Sequence, residues 1–171
     1  MTPDALMKLQ LAEADKNTDP VARAIARSVC FRRMNKPDDA LKELQSAQQI
    51  NPKDNNVKMQ LFTLYVQLKQ WDKAEALLPA LSTANSDQAS GNLLRYRLAM
   101  ARGDYDSAQN YARTLTQSMS EFGQSWSLLG QVQQKTGAFQ DAVRSYLNAL
   151  QKQSDSVDAL RGLIECYYAL N

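Results

Sequence analysis

The chain has 171 residues, 44% of them apolar, with 20 Lys and Arg against 18 Asp and Glu and a formal net charge of +2. Six Gly and five Pro at that length suit helices joined by short turns rather than disorder, and the interspersed, nearly balanced charge lacks the polybasic tract of a nucleic-acid binder. The complete absence of His removes the commonest general base, the Ser–His nucleophile pair and most zinc sites, so neither catalysis nor a metal or other cofactor is expected.

Before the main pattern begins, Ala5, Leu6, Leu9 and Ala12 keep the apolar spacing of a helix, and Asp19 with Pro20 supplies a cap and first turn for the next one. Four blocks of 34 residues then follow without insertion or deletion, 21–54, 55–88, 89–122 and 123–156, each with Ala at its twentieth position: Ala40, Ala74, Ala108 and Ala142. Self-similarity at this period marks stacked helical hairpins. The first block carries Phe31, Ala40, Leu44 and Ala47 and closes on Ile50-Asn51-Pro52. The second carries Leu61, Tyr65, Trp71, Ala74, Leu78 and Leu81, with Pro79 predicting a kink or early helix end near Leu78. In the third, Gly103-Asp104-Tyr105 marks a turn ahead of Ala108 and Leu115.

The fourth block is the clearest. Trp126, Leu129, Gly130 and Val132 recur on one helix face, and Gly137-Ala138 breaks that helix. Phe139, Ala142, Val143, Tyr146, Ala149 and Leu150 then give a second helix its own stripe, and so short a turn makes the pair antiparallel. Val157, Leu160, Leu163, Ile164 and Tyr167 form one more helix. The expectation is an all-α chain of about ten helices, with 1–20 as a half repeat and 157–171 as a half repeat or capping helix. Cys30 and Cys166 stand four repeats apart, roughly 30 to 40 Å or more at ordinary helix spacing, too far to bridge within one monomer.

The spacing of Trp126, Leu129, Gly130, Ala142, Tyr146 and Ala149 resembles the tetratricopeptide repeat, and the other blocks look like the same motif. Gln133 and Ser154 depart from its Tyr and Pro. Arg95 and Tyr96 stand where the family has Leu and Gly, and Phe62 and Ile164 replace the same small residue, so looser helix pairs are expected there. The resemblance covers almost the whole chain. It implies a single α-solenoid over 1–171, a right-handed superhelix of antiparallel helix pairs, acting as a non-catalytic protein-interaction module and part of a larger scaffold or assembly subunit.

The resemblance also implies that the first helix of each repeat lines a concave face, at six fixed repeat positions. These hold Ile25, Val29, Arg32 and Arg33, then Met59, Gln60 and Thr63, then Leu93, Leu94, Arg97 and Met100. Further on they become Ser127, Leu128, Gln131 and Lys135, then Arg161 and Glu165. An apolar floor margined by arginine suits a partner peptide or helix with apolar anchors and acidic flanks. The plainer alternative is that Ile25, Val29 and Leu93 pack on neighbouring helices and the arginines are solvated.

The family's carboxylate clamp for chaperone tails is absent. Starting from the first repeat its positions hold Ile25, Val29, Gln60, Ser90 and Leu94, and from the second Met59, Thr63, Leu94, Gln124 and Leu128, neither of which grips a terminal carboxylate. A one-base-per-repeat RNA reader would need polar residues where Ile25, Met59, Leu93 and Ser127 stand, so no nucleic-acid partner is expected.

Arg27 and Arg95 occupy usual leucine positions, where snorkelling of the charged heads is expected ahead of pairing with carboxylates on neighbouring helices. Asp38-Asp39 and Asp104 with Asp106 are read as helix caps. The apolar Tyr167, Tyr168 and Leu170 suggest a section of a longer repeat protein, or self-association through open solenoid ends. No stretch approaches the roughly 20 apolar residues of a bilayer span and the first residues lack signal-peptide regions, so the sequence assigns no compartment.

Overall fold

The structure is a computed structural model that describes residues 3–82 and 88–171. Among the described residues there are ten helices and no strand: α1 (Pro3–Asp15), α2 (Pro20–Arg33), α3 (Pro37–Ile50), α4 (Asn55–Gln67), α5 (Trp71–Leu81), α6 (Gln88–Arg102), α7 (Tyr105–Ser118), α8 (Gly123–Lys135), α9 (Phe139–Lys152) and α10 (Val157–Leu170). The chain divides into two compact units, Met1–Leu81 with α1–α5 and Ser82–Asn171 with α6–α10. The end of the second block, 83–87, lies outside the described residues.

One turn is used four times. Asn35 (φ 55°), Lys69 (φ 57°), Gly103 (φ 78°) and Gly137 (φ 78°) all adopt left-handed backbone, each at the fifteenth position of its 34-residue block. In every case the next residue's N–H donates five residues back, from Lys36 to Phe31 O, Gln70 to Tyr65 O, Asp104 to Ala99 O and Ala138 to Gln133 O, all at 2.9 Å. This is the bond of a Schellman helix end, which satisfies a terminal carbonyl and reverses the chain within two residues.

Helix starts are set by caps. Asp19 accepts from Val21 N and Ala22 N with Pro20 in the first turn, and Asp54 accepts from Asn56 N and Val57 N. Asp104 accepts from Ser107 N, and the Ser107 hydroxyl first and its backbone N–H second hold the carboxyl below the usual range; Ser156 accepts from Ala159 N. Asp38 and Asp39 do not cap: Lys36 occupies that position in α3, and the two carboxylates sit in the first turn, where the helix dipole favours them. α5, which contains Pro79, ends at Leu81, three repeat positions before the ends of α3, α7 and α9, in keeping with an early end near Leu78.

In unit 1 the 34-residue pattern is read out directly as burial. Ala40, Leu44, Ala47, Val57, Leu61, Leu64 and Ala74 are fully buried, and Phe62, in the place of a small residue, is 2% exposed. Arg27 is held by carboxylates rather than by snorkelling. Its Nε lies 2.7 Å from Glu43 on α3, its Nη1 2.5 Å from Asp15 on α1, and its guanidinium 5.7 Å above the Phe31 ring. Those carboxylates supply partners to a charge that desolvation alone would penalise.

Unit 2 has two linked cores. Tyr96, Ala99, Ala108, Ala112, Leu129 and Val132 form one, flanked by Met100, Trp126 and Leu128. Ala142, Tyr146, Ala149, Ala159 and Cys166 form the other, flanked by Phe139 and Leu163. The buried Ser145 hydroxyl donates to Gln133 Oε1 at 2.7 Å, so the glutamine that replaces the family's tyrosine still joins α8 to α9. Both cysteines are buried free thiols.

Candidate functional site

Unit 1 gathers Val29, Arg32 and Arg33 around one open recess, with Asn35, Pro37, Gln67 and Leu68 as its other walls. The two arginines fall in the last turn of α2, where cations complement the helix dipole. Arg32 Nη1 donates to Gln60 Oε1 at 3.3 Å, which spans α2 and α4, and Arg33 Nη1 reaches Gln10 Oε1 at 3.5 Å. Neither is in an ion pair among the described residues, so the recess carries unneutralised positive charge. Ile25, Met59 and Thr63 are half-buried and do not line this recess; the Thr63 hydroxyl donates to Met59 O at 3.0 Å.

Unit 2 holds a smaller and more apolar pocket of about 120 Å³. Leu93 on α6, Leu115 on α7 and Leu128 on α8 form its walls with Ala89, Met119 and Phe122, and Ser90, Gln124 and Ser125 supply the polar rim. Hydrogen bonds hold this shape. Ser125 Oγ meets the carbonyls of Met119 (2.8 Å) and Phe122 (2.7 Å), and Trp126 Nε1 donates to Ser120 O at 2.9 Å, which fixes the α7–α8 connection against α8. Phe122 is thereby held at the rim with 60% of its surface exposed. Tyr96 Oη donates to Leu128 O at 3.0 Å and reaches Gln131 Oε1 at 3.4 Å, tying α6 to α8. Burial pushes the Tyr96 phenol well above its ordinary pKa, so it remains a donor throughout the neutral range.

The expected concave positions thus divide. Val29, Arg32 and Arg33 come together in unit 1, and Leu93 joins Leu128 in unit 2, with Gln131 on an adjoining recess. Arg97 is exposed and Met100 packs partly against the core. Leu94 is not a groove residue. It is 4% exposed because α6 buries Ala89, Gly91, Asn92, Leu94, Tyr96, Leu98 and Ala99, positions that run most of the way round the helix. Leu115, Met119 and Phe122 were not foreseen, since only first helices were expected to contribute. An apolar Phe122 at the block's last position, where Asp54 and Ser156 act as caps, was the available signal.

Among the described residues no group of three or more His, Cys, Asp or Glu could hold a metal ion, and no helix is long and apolar enough to cross a membrane. No curated protein matches the chain. Among solved structures, a thermophilic TPR protein from Thermus thermophilus superposes with a TM-score of 0.71 at 18% identity, over 98% of this chain and 90% of that one. MamA from Desulfovibrio magneticus RS-1 gives 0.63 at 12% identity over 88% and 85%. YrrB, described as a TPR protein with an unusual peptide-binding site, gives 0.54 at 11% identity over 95% and 82%. At these identities the likeness is one of fold. Two family models, both described as tetratricopeptide repeat, match residues 31–98 and 128–171, well over half of the sequence between them. With the 34-residue register, the repeated Schellman turn and these matches together, the chain belongs to the tetratricopeptide repeat family.

Proposed function

We propose that this chain is a non-catalytic protein-interaction module that takes a peptide or helix of a partner against its first helices, as part of a larger scaffold or assembly. The observation that carries this reading is the apolar pocket of unit 2, where Leu93 and Leu128 stay half-buried and Phe122 is held open to solvent by the Ser125 and Trp126 hydrogen bonds. A preformed apolar pocket with a polar rim suits one anchoring side chain, and its rigidity lowers the entropy lost on binding. The unneutralised Arg32 and Arg33 of unit 1 favour acidic residues in the segment bound there. YrrB, which shares the fold, is described as having a peptide-binding site.

The test is affinity capture from native extract with the parent chain, a Leu93→Glu variant and an Arg32→Glu/Arg33→Glu variant, after circular dichroism shows equal helicity. A partner held by the parent and lost from a variant is the expected result. The same partners on all three would remove the pockets from consideration. Self-association is the second reading, favoured by the exposed Leu160, Ile164, Tyr167 and Leu170 along α10 and Leu6 and Leu9 on α1. Sedimentation of the isolated chain over a dilution series separates the two, since with no partner present only self-association gives a concentration-dependent mass.

A further inference from the structure

Beside the apolar pocket of unit 2 lies a second recess of about 420 Å³, and the two share Leu128 and Gln124 as a common wall. Its chemistry is different. Ser127, Gln131 and Gln153 bring hydroxyl and amide groups, and Asp155 in the turn before α10 and Asp158 in its first turn bring two carboxylates; among the described residues no cation lines it. Lys152, at the end of α9, is engaged by Glu121 at 3.0 Å, and neither Asp155 nor Asp158 has an ion-pair partner among the described residues. A further polar group is left over. Ser127 is 5% exposed, lines this recess, and its Oγ has no hydrogen-bond partner among the described residues. A buried hydroxyl without a partner is unfavourable, and a donor entering the recess that reaches it would relieve that cost.

We propose that this recess receives the side chain of a lysine or arginine from the bound segment, within a few residues of the apolar side chain that enters the neighbouring pocket. The inference rests on the peptide-binding reading above and deepens it: unit 2 selects an apolar residue close in sequence to a basic one. A lysine ammonium brings three donors and an arginine five, and neither has an acceptor to be wasted among carboxylate, amide and hydroxyl oxygens. The carboxylates supply the charge discrimination, and they repel a glutamate or aspartate in the same place. In this preference the recess is opposite in sign to the Arg32–Arg33 recess of unit 1.

The experiment is an NMR titration of the isotope-labelled chain with acetylated, amidated heptapeptides. Each carries a single leucine and, one to three residues away on either side, lysine, norleucine or glutamate. The leucine–lysine peptides should shift the resonances of Leu93, Leu128, Ser127 and Asp158 and bind roughly threefold or more tightly than the norleucine peptides, with glutamate weakest. In an Asp155→Asn/Asp158→Asn variant with an otherwise unchanged spectrum, that advantage should vanish while the leucine response at Leu93 and Leu128 remains. Equal binding of the three peptides, or a lysine advantage that survives the double substitution, overturns this inference alone. If leucine moves neither Leu93 nor Leu128, the peptide-binding reading fails and this inference falls with it.

Discussion

The phenol ring of Tyr146 lies directly against the backbone of Gly162, so that a β-carbon placed there would stand 2.6 Å from both Cε2 and Oη of the ring and nearer still to Cζ. Gly130 faces the other part of the ring, where a β-carbon would meet Cε1 at 2.8 Å. Tyr146 is 1% exposed and its hydroxyl donates to Gln134 Oε1 at 2.8 Å, so α9 is clasped between α8 and α10 through one side chain. A glycine within a helix costs about 1 kcal/mol relative to alanine, and here that cost gives the ring its room. Gly162→Ala should destabilise unit 2 by about 1–3 kcal/mol net, because overpacking outweighs the helix propensity gained. Urea unfolding followed by circular dichroism measures it. In a Tyr146→Leu background the same substitution should cost much less, and equal costs in the two backgrounds would show that the ring is not what fills the space.

The four left-handed turn residues are not equally suited to their backbone. Gly103 and Gly137 adopt φ 78° freely, whereas Lys69 at φ 57° places a β-carbon in a conformation that costs an L-residue about 1 kcal/mol or more. Lys69→Gly should therefore raise stability by about 0.5–1 kcal/mol, part of the gain being offset by the freedom glycine adds to the unfolded chain. Gly137→Ala should lower it by about 1 kcal/mol, and since a β-carbon there meets nothing within 4 Å, the loss is pure backbone strain. The check is a matched pair of denaturation curves. A stabilised Gly137→Ala protein would mean that the turn is not left-handed in solution.

The repeat made the helices and their turns legible, because identical positions face identical demands: Ala40, Ala74, Ala108 and Ala142 are all fully buried. Asp19-Pro20 and Gly137-Ala138 are local signals, and the structure places a helix start and a helix end there. Relations between helices were less legible. Gly162 stands two positions away from the place where the repeat keeps its glycine, so only the packed Tyr146 reveals its task. Leu94 was assigned by its repeat position to a surface that α6, buried around most of its circumference, does not present there. The walls given by Met119 and Phe122 depend on how a connection is folded back by Ser125, which no periodicity encodes.

Arg27 draws α1 and α3 onto α2 through Asp15 and Glu43, and the hydrogen bonds to Glu43 first and Asp15 second raise the guanidinium pKa above its ordinary value. Apolar contact along α1 is partial: Leu6 and Leu9 are about half exposed, at 47% and 57%, Met7 and Leu11 are half-buried, and Ala14 is buried. Arg27→Leu, which restores the residue type that the resemblance puts here, should leave two carboxylates facing an apolar side chain. A loss of about 1–2 kcal/mol is expected after allowance for their partial exposure. The readout is local: hydrogen-exchange protection over the last turns of α1 should fall about tenfold while that of unit 2 stays unchanged. Protection of α1 that survives the substitution would show that apolar contact, not the ion pairs, secures this helix.

Unit 2 should lose stability in alkaline solution through three buried acids. Burial raises the pKa of Tyr96; burial first, then nearby Cys166 and other charges, raises that of Tyr146; and burial, with Glu165, raises that of the Cys166 thiol. In each case the folded form keeps its proton to a higher pH than the unfolded chain. Stability is therefore fully present below the unfolded values, about 8.5 for a thiol and about 10 for a phenol, and declines as the pH rises from there towards the folded values. Each phenol contributes up to about 1.4 kcal/mol per pH unit to that decline. Urea unfolding of the chain between pH 8 and pH 11 should show the slope steepening above about pH 10. Tyr146→Phe lowers stability at neutral pH by the lost bond to Gln134, yet it should also make the alkaline slope shallower by about one phenol's share. Those two effects have opposite pH dependence, so they separate in one data set. A slope that Tyr146→Phe leaves unchanged would mean that this phenol ionises in the folded chain as readily as in the unfolded one, and that the clasp between Gly130 and Gly162 does not keep water from it.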